Sequence, residues 1–154
     1  MATRIKARAD DLYQRDLYAW SRAQADLLRT GRFAELDLEH LTLEIEDVGG
    51  ALQRAVHNRI RGIVEHLLKL EHSPATEPRT GWRATVRGQR VRLRDLLTPT
   101  LRREMESELA ELYGDARGLA EGTLRDHGEH VAANALPATC PYSLDQIVSD
   151  WLPQ

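Results

Sequence analysis

The sequence predicts an all-α fold, an up-and-down bundle of four main helices with a short helix at the C-terminus. Three observations carry this. No run alternates apolar and polar residues with period two between turn dipeptides, as strands and hairpins require. Apolar residues recur three and four positions apart through most of the 154 residues. Helix start and stop signals cut that pattern into segments of helical length.

The first helix is expected to start after Asp10 or Asp11. It carries Leu17, Trp20, Leu27 and Leu28 and stops at Thr30-Gly31, where glycine suits a left-handed C′ position. Asp37 reads as the N-cap of a long second helix that runs to about Ser73 before Pro74. Its apolar positions Leu38, Leu41, Ile45, Val48 and Leu52 form a heptad seam, and Val56, Ile60, Ile63, Leu67 and Leu70 continue it after a phase shift. The shift falls beside Gly49-Gly50, a pair that costs about 2 kcal/mol of helix propensity relative to alanine. A bend, a division into two pieces or very close packing is expected there. Since this helix outruns the third, part of its seam must be covered by the first helix or by another protomer.

Residues 74–80 read as a loop with Thr80 as the next cap. The third helix then carries Trp82, Val86, Gln89, Leu93 and Leu96. Gln89 falls on the apolar seam, so its amide needs a polar partner across the bundle or a place at the seam edge. Thr98-Pro99 is an N-cap followed by proline at the first helical position. The fourth helix carries Leu101, Met105, Leu109, Leu112, Ala116, Leu119 and Thr123 and frays near His127-Gly128. Ser143 and Gln146 form a capping-box pattern that opens a last helix over Leu144 to Trp151. One domain over 1–154 is expected, with 1–9 as a flexible tail.

Composition narrows the functions. The formal net charge is −3 and no global basic field calls for nucleic acid or a membrane. Cys140 is the single cysteine, which excludes an intrachain disulfide and a multi-cysteine zinc site. The basic N-terminus has no apolar stretch behind it, as a secretory signal would, and charges break every apolar run well short of a membrane span. A soluble cytoplasmic protein is expected.

Several blocks resemble a known family in order: Tyr13-Gln-Arg-Asp-Leu-Tyr-Ala-Trp20, Leu27 to Asp37, Glu44-Ile-Glu-Asp-Val-Gly49, His66-Leu-Leu-Lys69, Trp82 to Arg90, and Cys140-Pro-Tyr-Ser143. Over about residues 12 to 153 the chain is similar to the bacterial family called domain of unknown function twenty-nine. The resemblance implies a small all-helical bacterial protein and brings no activity, cofactor or partner with it. Leu43 stands where the family usually has a second acid, and Ala75-Thr-Glu77 where its loop is more basic, so a site built on either position is altered here.

Among the residues themselves, Glu44 and Asp47 are the strongest polar candidates on the second helix. With His40 they are spaced i, i+4, i+7, so one helix face offers three oxygen or nitrogen ligands. A di-metal bundle would also need Glu-x-x-His pairs projecting from other helices, and the sequence contains none. A solvated acidic helix start explains the acids more simply, so no metal is expected. His66 and Lys69 read first as a helix-flank pair along the seam edge and second as ligands. Glu44 and His66 lie about 33 Å apart on a continuous helix and share a site only across a sharp bend or between protomers.

Arg83, Arg87, Arg90 and Arg94 form a ridge at 4, 3, 4 spacing. Guanidinium forks there suit phosphate, so a nucleic acid is a possible partner, while ion pairing with Glu104, Glu108 and Glu111 of the fourth helix is the simpler reading. Cys140 with His127 and His130 has no acid placed to orient it. No catalytic residue and no cofactor are assigned. The expectation is a non-enzymatic interaction or scaffolding module that self-associates or binds a protein partner. Its rivals are a metal-binding or hydrolytic bundle using Glu44, Asp47 and His66, and a nucleic-acid binder using the arginine ridge. Trp82 is the remaining binding candidate, and the question is which of these residues share a cleft.

Overall fold

A computed structural model describes residues 11–153 and places no strand among them. The prediction of an all-α protein is met. Residues 11–15 are helical, the helix breaks at Asp16, and α1 runs Leu17–Arg29. The Asp16 carboxylate accepts the backbone N–H of Ala19 at 2.9 Å, so the N-cap lies five or six positions later than expected. Asp10 and the expected tail over 1–9 lie outside the described residues. A 3₁₀ turn, Phe33–Glu35, leads to α2, Leu38–His72. Then follow α3, Arg79–Leu96; α4, Pro99–Asp126; α5, His130–Asn134; and α6, Leu144–Val148.

The terminators act where the sequence puts them. Gly31 takes φ 70° after α1 and Gly128 takes φ 77° after α4, a left-handed geometry that glycine adopts without steric cost. Thr98 caps α4 through Leu101 N–H, and Ser143 and Gln146 close the full capping box on α6. Two boundaries differ: Pro78, not Thr80, precedes α3, and α6 ends at Val148. Arg79, at the first position of α3, donates to Leu70 O at 2.7 Å and Ser73 O at 3.4 Å, satisfying carbonyls left over at the end of α2.

The chain falls into two compact units, 1–51 and 52–154. α2 belongs to both, and its helical backbone continues through Gly49-Gly50, so the expected division into two pieces does not occur. Nor is Gly49 a point of close packing: a Cβ there would meet nothing within 4 Å.

The second unit holds the hydrophobic core. Val56, Ile60, Ile63, Val64, Leu67, Leu68 and Leu70 of α2 meet Val86 and Leu93 of α3, and Met105, Leu112, Tyr113, Ala116, Ala120 and Leu124 of α4. Ala132, Ala133, Leu136, Tyr142, Leu144 and Ile147 close it. The buried line on α4 passes through Ala120 and leaves Leu119 exposed, one residue away from the expected seam. Gln89 finds the partner it needs: its amide oxygen accepts a hydrogen bond from Arg59 at 2.8 Å. Tyr142 donates to Glu71 at 2.6 Å from a buried site, and burial is the first cause that raises its phenol pKa, ahead of the carboxylate.

The first unit is built differently. Among its described residues only Trp20, Gln24 and Asp37 are buried. Leu38, Ile45 and Val48 of the predicted seam are 64%, 70% and 63% exposed, so these residues do not serve as core. Of the twelve large exposed hydrophobics among the described residues, eight lie in this unit, which is the shorter one.

Candidate functional site

In the first unit, residues 13–20 and 37–44 are held together by a polar and aromatic clasp. Trp20 Nε1 donates to Asp37 Oδ2 at 3.1 Å, and the Asp37 backbone N–H donates to Gln24 Oε1 at 2.9 Å. His40 Nδ1 lies 2.7 Å from the same Asp37 oxygen. The Tyr13 ring stacks on His40 at 3.9 Å and meets the Trp20 edge at 5.0 Å, while its hydroxyl donates to Glu44 Oε1 at 2.6 Å. Pairing Tyr13 with Glu44 and Trp20 with Asp37 makes the two segments antiparallel. The clasp replaces the apolar contacts this hairpin lacks.

Charge is distributed accordingly. The hydrogen bond to Glu44 raises the Tyr13 pKa, because ionising the phenol would set two negative charges against each other. Burial pushes Asp37 upward, but hydrogen bonds from His40, Trp20 and the His40 backbone outweigh it and hold its carboxyl below the usual carboxylate range. Asp37 therefore stabilises the first unit while it is charged. Its contribution is full above the unfolded carboxylate pKa of about 3.9 and is lost as pH falls through the lower folded value. An Asp37→Asn variant is expected to flatten the acid limb of the stability curve and to be less stable at neutral pH, measured by urea unfolding across pH.

Glu44 and Asp47 do share a surface. With Tyr13, Leu43 and Glu46 they line a wide, shallow groove. They do not form a metal site with His40, which turns to Asp37 while Glu44 turns to Tyr13. Among the described residues no three His, Cys, Asp or Glu side chains converge as metal ligands.

The remaining candidates fall in the second unit. His66 Nδ1 donates to Gly62 O at 2.8 Å, and burial, followed by the Lys69 charge, lowers its pKa. Lys69 is buried, paired with Glu65 at 2.7 Å, and its ammonium sits 5.6 Å from the centre of the Trp82 ring. Lys69 and Trp82 line a second cleft with Ala75, Pro78, Thr123, Leu124, His127 and Glu129.

The arginine ridge splits. Arg83 and Arg87 are exposed, and no ion pair joins either to the acids of α4. Glu108, one of the expected partners, instead faces His57 Nε2 at 2.8 Å. Arg94 reaches Asp150 at 3.3 Å on the surface. Arg90 is only 2% exposed and donates to Ile147 O at 2.9 Å, Gln146 O at 3.0 Å and Trp151 O at 2.8 Å. Burial is what lowers its pKa. It closes the C-terminal segment and has no free fork for phosphate. Cys140 donates to Tyr142 O at 3.3 Å, and burial raises its thiol pKa, an environment opposite to that of a nucleophile.

These features define an all-helical protein with a polar clasp and a small enclosed cleft. No helix of the described residues is long and apolar enough to cross a membrane. A family model described as domain of unknown function DUF29 matches residues 12–152, and the chain belongs to that family. It is also similar to a solved alpha-helical protein of unknown function from Rhodospirillum rubrum ATCC 11170. The two are 26% identical, the match covers 88% of each chain, and the TM-score is 0.62. No curated protein matches the chain.

Sequence reasoning found Glu44 but missed its partner Tyr13 and the buried Trp20–Asp37 pair. The signals were the Tyr13 and Trp20 spacing of seven and an N-cap aspartate beside an aromatic helix. Glu129 carried no local signal.

Proposed function

We propose that the protein is a non-enzymatic helical interaction module, an up-and-down bundle of four main helices whose first unit docks onto a second copy of the same chain. It works in the cytoplasm, the compartment its charge-broken sequence and solitary cysteine suit. The observation that carries this reading is the mismatch in the first unit. A hairpin with one buried aromatic residue displays Leu38, Ile45 and Val48 on a heptad face, and Leu17, Tyr18, Leu28 and Phe33 are exposed in the same unit. Large apolar side chains left uncovered on one helix face mark association sites. A second copy brings the same face, and two such hairpins supply the four helices that a bundle needs.

Glu44 and Glu46 flank the seam, so a matched pair would carry like charges at its rim. Association is therefore expected to strengthen with added salt, which screens that repulsion. Sedimentation equilibrium across protein and salt concentrations tests the reading: a reversible dimer is expected, and a monomer at every concentration into the high micromolar range ends it.

A further inference from the structure

The cleft beside Trp82 belongs to the second unit and shares no residue with the docking face. Its volume is about 260 Å³, just below the usual range for small-molecule sites. Ala75, Pro78, Leu124 and the Trp82 ring give it largely apolar walls. Two hydrogen-bond donors are set into those walls, the Lys69 ammonium from α2 and the Thr123 hydroxyl from α4.

Neither donor is fully used. Lys69 gives one proton to Glu65 at 2.7 Å, and its cation lies 5.6 Å from the centre of the Trp82 ring. Glu65 does not line the cleft, and an ammonium has three protons, so Lys69 keeps donor capacity beyond that pair. Thr123 is freer still. Thr42 and Thr85, which also sit inside long helices, turn their hydroxyls to the carbonyl four residues back, at 2.8 Å and 3.1 Å. Thr123 forgoes that bond, and its half-buried hydroxyl has no hydrogen-bond partner among the described residues.

Charge favours neither sign of ion. Lys69 and Glu129 both line the cleft, one cation and one anion. A carboxylate ligand would have to compete with Glu65 for the ammonium. An ammonium ligand would find Glu129 Oε2 shut off from solvent. The unmet groups are donors, and they suit an uncharged acceptor.

We propose that this cleft binds a small neutral carbonyl compound, a ketone or amide on a flat apolar body. The carbonyl oxygen accepts from the Thr123 hydroxyl through one lone pair and from the Lys69 ammonium through the other. The body lies against Trp82, Pro78 and Leu124, and the volume confines it to about one ring.

The test follows the Trp82 indole N–H in proton–nitrogen NMR of the full chain, with a Trp82→Phe spectrum to assign it among the three tryptophans. Acetophenone and benzamide are titrated beside ethylbenzene, benzoate and benzylamine, which keep the ring but lack a neutral carbonyl. Saturable shifts with the ketone and the amide are expected, with clearly weaker binding of the other three. Thr123→Val keeps the branched shape and removes only the hydroxyl. It should weaken acetophenone by about fivefold, the effect of losing one neutral hydrogen bond, and leave ethylbenzene unaffected. The proposal is overturned if neither carbonyl compound gives a saturable shift, or if ethylbenzene, benzoate or benzylamine binds as tightly. An unchanged acetophenone affinity in a folded Thr123→Val protein overturns it too. The selectivity of the parent protein decides the matter should that variant fail to fold.

Discussion

A chain carrying Ile45→Asp and Val48→Asp is expected to remain monomeric at concentrations where the parent protein dimerises. The two side chains are 70% and 63% exposed, so the substitutions remove little from the folded monomer, and its helical circular dichroism should be unchanged. In the dimer the same positions would be buried on both copies. Burying such an aliphatic side chain contributes about 1.5–3 kcal/mol, and an aspartate in its place adds a desolvation penalty. Dissociation constants should rise by about a hundredfold or more, read by sedimentation equilibrium. If both proteins associate equally, the heptad face is not the contact. A loss of circular dichroism in the variant would instead place these residues in the monomer's own stability.

The second large effect is expected at Arg90. Its guanidinium serves three carbonyls, at residues 146, 147 and 151, from a buried position. Arg90→Met keeps the length and apolar stem of the side chain while leaving those acceptors without their donor. A loss of about 3–5 kcal/mol in urea unfolding is expected, larger than a surface arginine could give. Arg90→Lys should recover only part of it, because a single ammonium cannot match the planar fork. Arg83→Met is the control. It lies on the same ridge but is exposed, and a change beyond about 0.5 kcal/mol there would undermine the distinction between the two arginines.

That distinction shows what the sequence could and could not disclose. Arg83, Arg87 and Arg90 look alike in spacing, and only the C-terminal segment, more than fifty positions downstream, covers one of them. Patterns closed by neighbours in sequence were legible: the Thr98-Pro99 start, the Ser143–Gln146 box, and the run from Val56 to Leu70 that became the core. Gln89 was legible because a seam amide requires a partner, although nothing local named Arg59. The short helix over His130–Asn134 was not legible because five residues are too few for periodicity to emerge. The heptad from Leu38 to Leu52 was legible as a face that wants cover, but periodicity does not say whether the chain itself supplies it, and Leu38, Ile45 and Val48 are left exposed. The acids around Glu44 resolved for a similar reason. Tyr13 turned one of them into a hydrogen-bond acceptor, a contact spanning thirty-one positions.

The uninterrupted helix from Leu38 to His72 has a consequence for how the protein opens. One end of it is anchored by Val56, Ile60 and Ile63, all without solvent exposure, and the other by the polar clasp of Tyr13, Trp20, Asp37, His40 and Glu44. Amide hydrogen exchange along this single element should therefore be graded. Amides from residue 56 onward should exchange only with global unfolding, and those before Gly49 through a cheaper local opening. Gly49-Gly50 is where the two regimes should meet, because the pair lowers the cost of unwinding at that point. Uniform protection over the whole helix would show that the first unit is held by more than its own contacts.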